Sequence, residues 1–339
     1  MIHMTQEIDH NAIVRLGMAY AESKTLLSAV ELGVFTALAR EPLDWQTLRE
    51  RIGIHPRAAR DFFDALVALR LLRREDGRYS NTREADLYLD KTKKSYIGGM
   101  LEMSNARLYG IWGSLSEALR TGAPQNEIGA REDIFTWLSK TPEKYREFTQ
   151  AMTGLSLPSA RALAAKFPWD RYKTFADVGT AQGGLPVQVA LAHPQVTGIG
   201  LDLPPVQPVF EDYVREHGLA DRLRFQVFDL FKDPIPKVDV ITMGHILHGW
   251  KLADKRGFIK KAYDALSEGG VLVVYDAMID DERRENVAGF MMSLTILLET
   301  PEGFDYTSAD CAGWLREQGF RDVRAEKLIG SDSFVVGVK

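Results

Sequence analysis

The segment Asp177-Val178-Gly179-Thr180-Ala181-Gln182-Gly183-Gly184 closes an apolar run at 175–178 and decides the reading of the chain. Clustered glycines after a short strand let the backbone turn sharply and approach a ligand closely. Downstream, apolar runs recur at 196–201, 223–228, 238–243, 271–275, 323–328 and 334–338, with helical stretches near 184–192, 205–217, 252–266, 284–297 and 308–318. Short apolar runs alternating with helices predict a parallel sheet with crossover helices. The last two runs have no helix between them, so they pair as a hairpin and leave one strand antiparallel. The expectation is an α/β, Rossmann-like domain over 171–339, built on a mostly parallel seven-stranded sheet.

In such sheets the ligand lies outside the carboxyl ends of the strands. Gly179 and Gly183 stand at the first of these ends. Asp202, in Gly200-Leu201-Asp202-Leu203-Pro204, follows about 20 residues on, where a carboxylate accepts hydrogen bonds from ribose hydroxyls. A third acid, in Phe228-Asp229-Leu230-Phe231, is placed to meet an adenine amino group, while Leu230 and its apolar neighbours cover the ring. Singly these signals are weak: a glycine cluster is often a plain turn, and a strand-end aspartate is often a helix cap. In this order, on consecutive strand ends, they point to an adenosine-containing cofactor. The spacing is not the G-x-G-x-x-G that receives a pyrophosphate, and no lysine follows the loop to grip a phosphate. An adenosyl group without phosphates fits better.

Upstream, Ile13, Leu16, Ala19, Tyr20, Leu26, Leu27, Val30, Phe35 and Leu38 recur at spacings of three and four, the mark of packed amphipathic helices. Leu48 and Ile52 mark a short helix, Phe62 to Leu72 a second, and Asp76-Gly77 a hairpin, which together form a winged-helix layout within 1–105. A DNA-reading role would use Arg57, Arg60, Arg70, Arg73 and Arg74. The competing reading has Asp61, Asp64, Glu75 and Asp76 neutralise that face and a second protomer pack on the module. Linking helices are expected over 106–170, from a pattern that includes Phe135, Trp137 and Phe148.

The 339 residues are 45% hydrophobic and 26% charged, a profile that supports a sizeable core and a two-domain chain. A net charge of -5 argues against a protein that displaces counterions from nucleic acid. Cys311 is the single cysteine, which excludes an intramolecular disulfide and a thiolate-rich metal site. The N-terminal stretch lacks the basic start and apolar run of a signal peptide, and no apolar stretch is long enough to span a bilayer. Cytoplasmic residence is the expectation, with neither membrane nor nucleic acid as a partner.

Together with His245-Ile246-Leu247-His248-Gly249-Trp250 and Gly303-Phe304-Asp305-Tyr306-Thr307, these motifs resemble the bacterial and plant small-molecule O-methyltransferases, the family of acetylserotonin, caffeate and anthracycline methyltransferases. The resemblance runs along nearly the whole chain. It implies S-adenosyl-L-methionine as cofactor, S-adenosyl-L-homocysteine as its product, no metal, and a homodimer formed through the winged-helix domain. It also implies His248 as general base, flanked by Asp276 and Asp305, acting on a hydroxyl of a small, aromatic or polyketide-like acceptor. An imidazole titrating near neutrality suits that task. The competing readings of His248 are a packed core residue and half of a metal pair with His245. Ser156 and His245 join the cofactor contacts, and Met152, Trp250, Met291 and Met292 are the candidates for the acceptor pocket. The chain departs from the family pattern at Thr180-Ala181-Gln182, at Gly249 in place of aspartate, and at Asp276 and Asp305 in place of glutamate. These departures motivate a second reading, a cofactor-binding relative that catalyses hydroxylation, decarboxylation or a pericyclic step. A winged-helix DNA regulator is a third.

Overall fold

A computed structural model describes residues 10–93, 95–129, 137 and 140–339. Phe135, counted in the linking-helix pattern, lies outside the described residues. The chain divides into two compact units, one ending at Tyr109 and the other starting at Gly110.

The first unit packs α1 (His10–Glu31), α2 (Val34–Ala37), α3 (Trp45–Ile52), α4 (Pro56–Ala68), α5 (Arg83–Leu89) and α6 (Gly98–Met103) with a three-stranded sheet. Its strands are β1 (Leu43–Asp44), β2 (Leu72–Glu75) and β3 (Arg78–Asn81), in the order β1-β3-β2. Asp44 caps α3 by accepting from the amides of Gln46 and Thr47, and the Asp76-Gly77 turn joins β2 to β3, with φ +48° and +76°. The winged-helix layout expected from the sequence is therefore present. Leu48, Phe63, Leu66, Leu72 and Tyr79 form its buried centre. Asp64 accepts from Arg74 (2.6 Å) and Tyr79 (2.7 Å), so an acid of α4 does pair with an arginine of the wing. The amino-terminal part of α1 turns Ile13, Leu16 and Tyr20 outward, with Leu16 79% exposed.

The second unit is built on a sheet of β4 (Thr174–Val178), β5 (Thr197–Asp202), β6 (Leu223–Val227), β7 (Val240–Gly244), β8 (Val271–Asp276), β9 (Arg321–Ile329) and β10 (Asp332–Val338). The order is β6-β5-β4-β7-β8-β10-β9, and β10 alone runs against the direction of the other six strands. Helices α7 (Leu115–Thr121), α8 (Pro142–Lys166), α9 (Gly184–Ala192), α10 (Gln207–Glu216), α11 (Leu252–Ala265), α12 (Val287–Glu299) and α13 (Ser308–Glu317) complete it. Successive strand residues point to opposite faces. Val271, Val273 and Tyr275 join Leu163, Leu185 and Phe210 on one side, and Leu272 and Val274 join Phe258, Ile259 and Leu315 on the other. Burying each such side chain contributes roughly 1.5–3 kcal/mol, so the two apolar layers fix the sheet and level its strand ends.

The helix expected near 284–297 starts later, at Val287. Asp280 captures the amides of Arg284, Glu285 and Asn286 in a turn, and the Asn286 side chain then caps α12. Among the described residues, no helix is long and apolar enough to cross a membrane.

Candidate active site

The register Val178↔Leu201, Val178↔Met243 and Gly244↔Tyr275 places the ends of β4, β5, β7 and β8 side by side. Gly179 and Gly183 follow β4 with φ +69° and +92°, a left-handed backbone that a side chain would strain. A Cβ at Gly179 would also collide with Ile246, so the bare backbone of the glycine loop touches the segment that carries His248. Asp202 ends β5. Its Oδ2 accepts from Ala181 N (2.8 Å) and its Oδ1 from Leu203 N (2.8 Å), which locks the carboxylate over the loop and leaves a lone pair on each oxygen. Loss of solvent pushes it up to about 6, partly offset by those two amides. Behind the loop, Asp177 is buried on β4; loss of solvent pushes it up to about 7, offset in part by the hydroxyls of Thr242 and Thr180. Asp229 caps the turn that it opens, accepting from Phe231 N (2.9 Å) and Lys232 Nζ (2.7 Å), and the lysine contact holds it below its ordinary value.

His248 sits in a short 3-10 turn (Leu247–Gly249) after β7. Its Nδ1 lies 3.3 Å from Asp305 Oδ1 and 3.4 Å from Asp276 Oδ1. Both acids are buried. Burial disfavours charge on the imidazole, but Asp276 and then Asp305 outweigh it and raise its basicity. Asp276 gives the reverse case: burial would push it up, yet His248 and His245 hold it down at about 2. Tyr306 donates to Asp276 Oδ2 at 3.1 Å. For Asp305, burial wins and its value rises. With Nδ1 committed to the acids, Nε2 is the nitrogen left to take a proton. One nitrogen of His248 and one carboxylate oxygen each of Asp276 and Asp305 lie within 4.8 Å of one another.

Of the other expected site residues, the structure draws some in and leaves others apart. His245, expected at the cofactor, stands between two carboxylates: Nδ1 is 3.3 Å from Asp276 Oδ1 and Nε2 is 3.3 Å from Asp332 Oδ2. Trp250 sets its ring edge-on to Phe231 (centroids 4.8 Å) and Phe258 (6.0 Å). Met152 and Ser156 are half-buried on α8, and Met292 is half-buried on α12 while Met291 is exposed. Leu230 packs against the layer that holds Leu247.

The sequence reasoning missed Lys255, Asp332 and Ser159. Lys255 is fully buried, and its Nζ donates to Trp250 O (2.6 Å) and Phe304 O (2.8 Å), tying the chain beside His248 to the chain beside Asp305. A signal existed for it: it occupies the inward stripe of α11 with Phe258, Ile259 and Ala262, where a lysine is out of place. Ser159 donates to Asp332 Oδ2 at 2.6 Å, and neither residue sits in a motif.

Comparison with known proteins decides what this geometry belongs to. The family model for the O-methyltransferase domain matches residues 112–321, and that for the O-methyltransferase dimerisation domain matches residues 14–91. The chain belongs to the O-methyltransferase family. This methyltransferase is 41% identical over 328 residues to the tetracenomycin polyketide synthesis 8-O-methyl transferase TcmO of Streptomyces glaucescens, covering 96% of each chain. It is 33% identical to the N,N-dimethyltransferase OxyT of Streptomyces rimosus, over 97% of this chain and 96% of that one. Among solved structures, human N-acetylserotonin methyltransferase in complex with S-adenosylmethionine superposes with a TM-score of 0.90 at 24% identity, over 100% of the methyltransferase and 99% of that chain. That likeness bears on the fold.

Proposed function

We propose that this chain transfers the methyl group of S-adenosyl-L-methionine to a hydroxyl of a small aromatic, polyketide-like molecule, with His248 as general base. The observation that carries the reading is Nδ1 of His248 set between Asp276 and Asp305, on a segment packed against the glycine loop. The loop residues fit an adenosyl group, because Asp202 keeps free lone pairs and Gly179 offers bare backbone in a left-handed turn beside it. Gly179, Gly183, Asp202, Asp229 and Leu230 would hold it. When bound, the cofactor supplies an electrophilic sulfonium methyl, with S-adenosyl-L-homocysteine as product. The chain's own work is to bind the acceptor, take its proton at His248 Nε2 and stabilise the imidazolium with Asp276 and Asp305.

A hydroxyl acceptor is favoured over an amine because a phenol becomes a good nucleophile only once a base takes its proton, whereas a neutral amine attacks without prior deprotonation. The name of TcmO, a polyketide 8-O-methyl transferase, supports the oxygen, and that of OxyT marks the alternative. The partner beyond the acceptor is a second copy of the chain, docked through the outward apolar face of α1. The test is to incubate the protein with methyl-labelled S-adenosylmethionine and a panel of polycyclic phenols and the matching arylamines. Labelled methyl ethers are the expected products. Transfer confined to the amines, or no transfer to either class, would overturn the reading.

A further inference from the structure

We infer that His245 is a positioning residue for the base: set between Asp276 and Asp332, its ring keeps Asp276 aligned on His248 and shapes the charge around that base. This rests on the proposed role of His248.

The clamp is built from three elements. β8 supplies Asp276, and β10, paired to β8 with Ser333 opposite Asp276, supplies Asp332 one residue away. Ser159 of α8 donates to the Asp332 oxygen that faces His245 Nε2. The backbone of His245 is held as firmly. Its N–H donates to Tyr275 O (3.0 Å), and it adopts φ +54°, a conformation that a non-glycine residue keeps only where its surroundings enforce it. Both ring nitrogens therefore lie at ion-pair distance from a carboxylate, Nε2 without the alignment of a hydrogen bond, and the Tyr275 ring meets the imidazole edge-on at 5.5 Å.

Charge accounting gives the clamp its function. The groups facing His248 are Asp276 of β8, Asp305 ahead of α13 and His245 on its own segment, with Tyr306 bound to Asp276 and Lys255 of α11 acting on both acids. Burial works against a charged His245, but Asp276 and Asp332 outweigh it and raise it to about 10, so it is a cation at neutral pH. Three carboxylates then stand against two cations, and a proton taken up by His248 balances the cluster. Without the cation at 245, the acids would hold that proton too tightly for the base to start each cycle neutral. The two imidazole centroids are 6.2 Å apart, close enough for that repulsion to matter.

The test is histidine-ring ¹⁵N NMR titration of the full-length protein, with His248→Asn used to assign the His248 signal. His245→Asn removes the cation with a residue that tolerates positive φ. We expect it to raise the His248 midpoint by about one pH unit, the scale of a single charge at this separation. Asp332→Asn removes one of the two carboxylates that favour the charged form of His245 and lowers the His245 midpoint. A purely structural role leaves the His248 midpoint of His245→Asn and the His245 midpoint of Asp332→Asn in place, and that result overturns the inference. If His245→Asn melts too low to titrate, the fall of the His245 midpoint in Asp332→Asn decides alone. A tenfold or greater loss of S-adenosylhomocysteine affinity in His245→Asn, with unchanged midpoints, would instead make His245 a cofactor contact. Failure of the base assignment is separate: it shows as methyl transfer retained in His248→Asn, whatever the titrations give.

Discussion

Nδ1 of His248 lies 3.3 Å from Oδ1 of Asp305, a residue that reaches the site from the far side of α12 in sequence. The carboxylate orients the ring and favours the imidazolium. Replacing it by asparagine keeps the shape and removes the charge. Asp305→Asn is expected to lower kcat by about 10- to 100-fold. The acidic limb of its pH–rate profile should move to lower pH, because His248 loses a partner that favours its proton. An unchanged limb would mean that Asp305 does not act through the base.

Lys255 joins two carbonyls that flank the catalytic pair. Lys255→Met leaves both without that donor, and the expected cost is about 1–3 kcal/mol of stability. Turnover should fall by about tenfold as His248 and Asp305 lose register. Burial holds this lysine down at about 8, from 10.5. The folded protein then binds fewer protons than the unfolded chain between those values, so the Lys255 contribution to stability rises with pH across that window. Melting curves of the methionine variant should lack that rise.

The glycine loop was legible because strand periodicity and clustered glycines are local signals. Gly179 has φ +69°, and a methyl there collides with Ile246. Gly179→Ala is expected to weaken S-adenosylhomocysteine binding by at least about tenfold, through backbone strain and displacement of Ile246. Calorimetric titration checks this, with circular dichroism confirming that the sheet persists.

The carboxyl partners of His245 show where sequence reading stops. His245 was expected at the cofactor because it sits in a strand-end motif, but its ring direction depends on β10 pairing next to β8, a fact of topology. Periodicity gave the strands and their antiparallel end, and it carried the winged helix as well. It said nothing of which acids would converge. Lys255 was in principle readable, as a charge on the buried stripe of α11, and Ser159 was not: it stands in no motif, and its bond to Asp332 exists only once α8 is packed on the sheet.

The outward face of α1 predicts association. Leu16→Glu with Ile13→Glu places charge on two side chains that are 79% and 76% exposed within the chain. Sedimentation velocity should show the wild type as a dimer and the double variant shifted toward monomer, with little change in the melting of the second unit. A wild-type monomer at micromolar concentration contradicts the assignment of this face.

The central claim is tested by single-turnover methyl transfer in His248→Asn, with labelled S-adenosylmethionine saturating and cofactor affinity measured on the same sample. Removal of a general base is expected to slow transfer by about 10²- to 10⁴-fold while cofactor affinity stays within about twofold of wild type. Transfer at the wild-type rate would contradict the account, whatever the binding result.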